Sequence, residues 1–141
     1  MAWIEPLSAS TVTTPHPVKG RVVTATLKDG NGATIATTFM NVFPDESFMV
    51  FGEVTITSPG TSTAAQRQRG AVLMIRAMCL QLAGIKRAWI DVKPAYVNLM
   101  QSLRVRVRQL WSNGGGRFDA DDLPSFVTTL LAHSDANGNV V

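Results

Sequence analysis

Ten basic residues and a single acidic one lie between Ser58 and Arg117, and eight of the ten are arginine. The basic residues are Arg67, Arg69, Arg76, Lys86, Arg87, Lys93, Arg104, Arg106, Arg108 and Arg117, and the acid is Asp91. This segment carries a net charge of +9, whereas residues 1–57 carry −2 and residues 118–141 carry −4. A positive field of this density favours an anionic partner, such as nucleic-acid phosphate, an anionic cofactor or an acidic face of another subunit.

Three arginines of this segment alternate with apolar residues over Leu103–Arg108. If the segment is a strand, the side chains of Arg104, Arg106 and Arg108 project from one face, at a spacing that suits backbone phosphates. We therefore expect these three residues to bind nucleic acid or another anion.

Another basic cluster lies earlier in the chain and consists of Arg67, Arg69 and Arg76. It is the other candidate for binding nucleic acid or an anion. Alternatively, the arginines of both clusters pair with carboxylates within the chain or on a neighbouring subunit. The acids available for such pairing near the C-terminus are Asp119, Asp121 and Asp122.

Residues that usually carry catalysis or bind metals do not form a recognisable set. His16 lies between two prolines and His133 near the end of the chain, so their positions indicate no catalytic triad. The three C-terminal aspartates lack the ligand spacing of an EF-hand. The lone Cys79 lies in an apolar run with no nearby His or acid to activate it. We therefore expect no metal site and no catalytic residue.

Alternation of apolar and polar residues predicts an antiparallel meander of three strands near the N-terminus. The segment Asp29-Gly30-Asn31-Gly32 is a strong turn signal between the first two strands. The predicted strands are Arg21–Lys28, Ala33–Val42 and Ser47–Thr57.

Apolar residues then recur at helical spacing and predict a long helix over Ala64–Ala83. Ser62 or Thr63, followed by Gln66, resembles a capping box at the start of this helix. Gly70 lies inside the helix or marks its true start, because glycine costs about 1 kcal/mol relative to alanine in a helix interior.

The C-terminal half predicts a strand over Ile85–Val92 and a helix that begins at Pro94. Ser102–Trp111 fits a helix or a strand, and we expect a short helix that runs into a strand. Ser125–His133 is predicted as a last short helix. The fold class is therefore expected to be α+β: an antiparallel β-meander followed by a long helix, a further strand and short C-terminal helices, with an extended N-terminal arm.

The arm comprises residues 1–20, in which three prolines stand among serines and threonines. Proline fixes φ and removes a backbone donor, so this composition favours an extended segment. Trp3 and Ile4 are apolar anchors near its tip. The arm either docks on a neighbouring subunit or folds back on its own core.

At 141 residues the chain fits a single domain, predicted as an α+β domain over residues 21–134 with a polar tail at 135–141. Charged residues make up 16%, against about 25% in typical soluble domains. Such sparse charge indicates either that much of the exterior meets other protein or that the chain is an ordinary domain with a polar Thr/Ser surface. No membrane association is expected, because the longest apolar stretch, Ala71–Leu82, is broken by Arg76 and is too short to span a bilayer.

The segment Arg67-Gln68-Arg69-Gly70-Ala71-Val72 lies where a strand is followed by a helix, and another strand and helix come next. This order resembles the central part of GNAT-family N-acetyltransferases over roughly residues 21–111. In that family an Arg/Gln-x-x-Gly-x-Gly/Ala turn lets backbone N–H groups at a helix N-terminus hold the pyrophosphate of acetyl-CoA. The resemblance implies an acetyl-CoA-dependent acyltransferase in which Arg67, Gly70 and Ala71 bind the cofactor, although Val72 replaces the small last residue.

A second resemblance covers residues 21–83. Val54-Thr55-Ile56, the polar segment Thr61–Arg67 and the apolar segment Leu73–Leu82 are similar to coat proteins of single-stranded RNA phages. The similar stretch there is the one where the last sheet strand enters the first helix. The resemblance implies a sheet that binds RNA and dimers that share a continuous sheet.

The arm, the sparse charge, the Thr/Ser surface and the basic segment together lead to a non-enzymatic hypothesis. Under this hypothesis the chain is a structural or assembly protein of a bacteriophage virion or capsid, made in the host cytoplasm. It would need no cofactor, would associate with itself or with other virion proteins, and would turn its basic surface to nucleic acid or to an acidic neighbour. The alternatives are the GNAT-like acetyl-CoA-dependent acyltransferase and a stand-alone nucleic-acid-binding protein.

Overall fold

Among the residues that the structure describes, eight strands form one mixed sheet and three segments are helical. The computed structural model describes residues 3–43, 48–51, 55–56, 62–82, 84–92, 94–102 and 106–141. The strands are β1 (Ser8–Pro15), β2 (Arg21–Lys28), β3 (Thr34–Phe43), β4 (Phe48–Phe51), β5 (Thr55–Ile56), β6 (Arg87–Val92), β7 (Arg106–Leu110) and β8 (Gly116–Ala120). The helices are α1 (Ala64–Cys79), α2 (Pro94–Ser102) and α3 (Leu123–Ala132). The predicted α+β class is confirmed.

The strands lie in the order β1-β2-β3-β4-β6-β8-β7, and β5 continues beside β3. The predicted meander corresponds to β2, β3 and β4, which pair in antiparallel fashion. The turn between β2 and β3 forms as the sequence indicates: the Asp29 carboxylate accepts the backbone N–H groups of Asn31 and Ala33, and Gly32 has a φ of +81°.

The third predicted strand, Ser47–Thr57, is present as two pieces, β4 and β5. Met40 of β3 lies opposite Phe51, whereas Thr37 lies opposite Thr55. Three steps along β3 thus correspond to four along the other chain segment, so the register changes by one residue between the two pieces. Residues 52–54, which join them, lie outside the described residues.

The N-terminal arm belongs to the sheet. Its strand β1 pairs along its whole length with β2, from Ser8 opposite Lys28 to Pro15 opposite Arg21. Trp3 is 5% exposed and lies in the hydrophobic core. Of the two interpretations left open for the arm, the structure shows the second, in which it folds back on its own core.

Helix α1 packs against β1, β2 and β3 on one face of the sheet, and α2 lies against β6 and β8. The buried side chains of β2, Val23, Ala25 and Leu27, point to α1, because Leu27 contacts the helix at Gly70. Helix α3 contacts α1 and buries Leu123, Phe126 and Leu130. Its N-cap is Asp122, whose carboxylate accepts the backbone N–H of Ser125 at 3.2 Å.

Several predicted boundaries differ from those observed. Helix α1 ends at Cys79 rather than at Ala83, because the chain turns through Leu80–Leu82, where backbone N–H groups bond three or four residues back. The segment Ser102–Trp111 divides as expected, since α2 ends at Ser102 and β7 begins at Arg106. Strand β8 was not predicted, because the glycine run in Asn113–Gly116 is typical of a loop.

Candidate active site

Strands β4 and β6 form a parallel pair, whereas the other pairings among the described strands are antiparallel. The parallel pairing joins Phe48–Val50 to Arg87–Trp89. Beyond it β6 continues to Val92, while the chain after β4 pairs with β3 through β5. The described pairing of the two parallel strands ends at Val50 and Trp89. In open sheets ligands bind outside the carboxyl ends of such strands.

The N-terminus of α1 lies at the same edge of the sheet. Strand β5 ends opposite Ala36, close to the β2–β3 turn, and Gly30 of that turn donates its N–H to the carbonyl of Ile4 at 2.6 Å. Gln66, in the first turn of α1, donates its side-chain amide to the carbonyl of Trp3 at 2.9 Å. These contacts bring the start of α1 to the carboxyl-terminal edge of β4 and β5.

A capping box fixes the start of α1. The Thr63 hydroxyl accepts the backbone N–H of Gln66, and the Gln66 side chain accepts the backbone N–H of Thr63, both at 3.1 Å. Helix geometry leaves the N–H groups of Ala64 and Ala65 without intrahelical acceptors. The first turn holds no acidic residue. The guanidinium of Arg67 donates to the carbonyl and hydroxyl of Ser62, at 2.8 and 3.0 Å, and so lies beside these amides. The helix end combines free N–H groups, a positive dipole and a cation, which suits an anion.

Replacing Thr63 with alanine should destabilise the protein by about 1 kcal/mol, because the Gln66 N–H loses its acceptor. Urea unfolding followed by circular dichroism measures the loss. Gln68→Ala is the matched control, since Gln68 is exposed on the same helix, and it should stay within about 0.5 kcal/mol of the parent. Equal stability of Thr63→Ala and the parent would contradict the cap.

The structure separates the three residues of the predicted cofactor motif. Arg67 lies at the helix N-terminus, whereas Gly70 and Ala71 are buried in the second turn of α1. The helix begins at the Thr63 cap rather than at Gly70, since the capping box satisfies the amides seven residues earlier. Gly70 packs on Leu27 of β2, so its lack of a side chain serves the approach of helix to sheet.

The other arginines of α1 contact other parts of the chain. Arg69 forms an ion pair with Glu5, and the hydrogen bond from Arg69 lowers the pKa of that carboxyl below its usual range. Arg76 donates to the hydroxyl and carbonyl of Ser134, at 2.7 and 3.2 Å. The cluster of Arg67, Arg69 and Arg76 is thus distributed between the start of α1, the N-terminal segment and the C-terminal tail.

The arginines of β7 pair with carboxylates of the chain itself. Arg106 and Arg108 both bind the side chain of Asp119, which is 4% exposed, and Arg106 also binds Asp121. Burial alone would raise the pKa of Asp119, but the hydrogen bonds from Arg106 and Arg108 outweigh it and hold that pKa below its usual range. Arg104 lies outside the described residues. The pairing within the chain, given above as the alternative, is what the structure contains.

A cluster that the sequence analysis did not identify lies on β6 and β8. Arg117 donates from Nε and Nη2 to the two carboxylate oxygens of Asp91, at 2.7 and 2.9 Å. The same guanidinium carbon lies 5.0 Å from the centre of the Trp89 ring. Asp91 follows the last described β4–β6 pair by two residues, so the cluster lies next to the carboxyl end of that parallel pairing. The sequence signal for this cluster was the alternation Trp89-x-Asp91, but β8, the strand that carries Arg117, had not been predicted.

Other chemically capable residues lie away from this edge or are inert. Cys79 is buried, and burial raises the pKa of its thiol to about 12. Within the ranges that the structure describes, no group of three His, Cys, Asp or Glu side chains is placed to hold a metal ion. In the same ranges, no helix has the length and apolar character needed to cross a membrane.

Comparison with solved structures identifies the fold. The spermidine/spermine N-acetyltransferase SpeG from Vibrio cholerae superposes with a TM-score of 0.51 at 14% identity, over 76% of this chain and 67% of that one. The CoA-dependent acyl-homoserine lactone synthase BjaI gives a TM-score of 0.49 at 12% identity, over 77% of this chain and 62% of that one. No protein-family model matches the chain, and a search of curated proteins finds no match. The chain therefore has the fold of a GNAT-type acetyltransferase.

This finding corrects the leading functional hypothesis. A structural protein of a bacteriophage virion or capsid was predicted, and the similarity to an N-acetyltransferase contradicts it. The coat-protein resemblance rested on a hairpin and on a strand that precedes a helix, and both features also occur in this mixed sheet. The parallel pairing of β4 with β6 places the helix in a crossover between strands, and no local sequence pattern reveals that pairing.

Proposed function

We propose that this chain transfers an acyl group from an acyl-CoA thioester to an amine. The observation that carries the proposal is the parallel pair β4–β6, with the cationic N-terminus of α1 at its carboxyl-terminal edge. The strand order and the crossover helix are consistent with the fold shared with an N-acetyltransferase.

The residues at the start of α1 fit a pyrophosphate. The amides of Ala64 and Ala65 and the positive helix end face outwards, and Arg67 adds a full positive charge beside them. The absence of an acidic residue from the first turn removes the repulsion that an anion would meet. The burial of Gly70 and Ala71 in the second turn of α1 favours Arg67 and the first turn over these two residues for this role.

The bound CoA ester would supply an acyl group activated as a thioester. The neutral amine of the acceptor attacks the carbonyl carbon, the carbon–sulfur bond breaks with its electron pair going to sulfur, and the amine proton leaves to solvent or to the thiolate. The products are an amide and the free thiol. The chain contributes by fixing the phosphates at α1, next to the carboxyl-terminal edge of β4 and β5.

Calorimetry with CoA and with acetyl-CoA tests the proposal. Both should bind, and Arg67→Gln should weaken binding by about tenfold, which is the effect of losing one charge-assisted hydrogen bond. Arg76→Gln is the matched control. Arg76 lies nine residues further along α1, about two and a half turns, and binds Ser134, so the affinity of this variant for CoA should equal that of the parent. If neither compound binds the parent protein, the proposed function is wrong.

Activity is measured by the release of free CoA thiol from acetyl-CoA in the presence of amines. Release that depends on the amine supports acyl transfer. Binding of CoA without such release would limit the chain to a CoA-binding role and overturn the transfer step.

A further inference from the structure

The side chain of Arg117 is oriented by two neighbours. Asp91 lies directly opposite on β6 and takes the Nε and one Nη2 hydrogen, and the Trp89 ring supports the guanidinium. A guanidinium has five N–H groups. The other three, two on Nη1 and one on Nη2, have no partner among the residues that the structure describes. Arg117 and Asp91 are 36% and 35% exposed, so these three groups face a partly open space.

This cluster lies on the face of the sheet opposite α1. Val23, Ala25 and Leu27 face the helix, so the alternate residues of β2 face the other way. In the register of the sheet, Val22 lies opposite Asn41, Asn41 lies opposite position 50 of β4, and position 50 lies opposite Trp89. Trp89 therefore shares the face of Val22, which is the face away from α1. On this face Phe39 is 40% exposed and the residues Val22, Thr24 and Thr26 are half-buried. A ligand can therefore approach this cluster from the face of the sheet that lies opposite α1.

The chemistry of the cluster selects a carboxylate. The free end of a guanidinium presents parallel N–H groups whose spacing matches the two oxygens of a carboxylate. Asp91 is already engaged by Arg117, so the cluster offers no unpaired negative charge to an ammonium group. Because Arg117 is paired with Asp91, the cluster presents no net negative charge that would attract a polycation. Two adjacent strands of one sheet hold the guanidinium in place, so binding a ligand costs little conformational entropy.

We propose that Arg117 binds the carboxylate of the acyl acceptor, and that the acceptor is an amine bearing a carboxylate, such as an amino acid. This inference rests on the proposed acyl transfer for its biological meaning, but the carboxylate site is testable without it. Trp89 positions Arg117 through its ring, and Asp91 positions it through the paired hydrogen bonds.

The first experiment measures binding without CoA. Free amino acids, the matching amino-acid amides and spermidine are titrated into the protein while the indole N–H resonances of Trp3, Trp89 and Trp111 are followed by NMR. The Trp89 resonance should shift with free amino acids and not with the amides or spermidine. Arg117→Gln should weaken this binding about tenfold, by loss of the charge-assisted hydrogen bonds.

Two further variants make the test specific. Arg117→Lys keeps the charge without the planar fork, so it should restore only part of the affinity. Arg106→Gln is the control. Arg106 also pairs with carboxylates, those of Asp119 and Asp121, but it lies on the edge strand β7. The affinity of this variant should therefore equal the parent value.

The second experiment measures thiol release. Arg117→Gln should raise the KM for the acceptor about tenfold, with kcat and the affinity for CoA unchanged, since the residue contacts neither the thioester nor the phosphates. Equal use of free acids and amides, a preference for spermidine, or an unaltered KM in Arg117→Gln would overturn the inference while leaving acyl transfer intact. A carboxylate-dependent shift of Trp89 in a protein that binds no CoA would instead overturn the proposed function and retain the carboxylate site.

Discussion

Removal of residues 1–15 should abolish cooperative folding. The deletion takes away strand β1, which pairs with β2 over eight residues and contacts α1, and the buried side chain of Trp3. Loss of a buried tryptophan side chain alone costs about 3–5 kcal/mol, and typical domains are stable by about 5–15 kcal/mol. The truncated chain should therefore show no sigmoidal transition in urea, measured by circular dichroism and tryptophan fluorescence.

Single substitutions separate the contributions of the arm. Trp3→Ala should keep the fold but lose about 3–5 kcal/mol of the free energy of unfolding. Val12→Thr is the control, because Val12 is 63% exposed on the open face of β1, and it should change stability by less than about 0.5 kcal/mol. A truncated chain that unfolds at the parent midpoint and differs only in its association state would show that the arm serves a neighbouring subunit instead.

Local patterns in the sequence predicted most of the elements. Alternation gave β2 and β3, helical spacing gave the start of α1, and Pro94 marked the start of α2. These signals depend on residues close together in the chain. The strand β8 was missed because Gly114-Gly115-Gly116 dominates the local signal, whereas the strand is stabilised by pairing with both β6 and β7.

The candidate site was harder to predict, because it depends on contacts between distant segments. The capping box at Thr63 and Gln66 was recognised, but its position at the carboxyl edge of β4 follows from contacts with Trp3 and from the pairing of β5 with β3. The pairing of Asp91 with Arg117 requires the antiparallel register of β6 and β8. The charge count identified an arginine-rich segment, but only the fold shows that Arg106, Arg108 and Arg117 bind carboxylates of the same chain.

Gly70→Leu should destabilise the protein by about 3 kcal/mol, because it forces a side chain into the contact between α1 and β2. A Cβ atom at Gly70 would lie 2.5 Å from Cδ2 of Leu27, a residue that is 1% exposed. Glycine in a helix interior costs about 1 kcal/mol relative to alanine, and the close approach of helix and sheet explains why it is present. Urea unfolding measures the loss, with Gln68→Leu as the control on the exposed side of the same helix.

The double variant Gly70→Leu with Leu27→Ala tests the contact itself. The new leucine can occupy the space vacated by Leu27, so the double variant should lose less stability than the sum of the two single losses. Strict additivity would show that Gly70 and Leu27 do not share one packing site. A packing role also predicts that a folded double variant binds CoA as the parent does. If the double variant regains stability but does not bind CoA, Gly70 contacts the cofactor directly. The phosphate site assigned to Ala64, Ala65 and Arg67 would then extend into the second turn of α1.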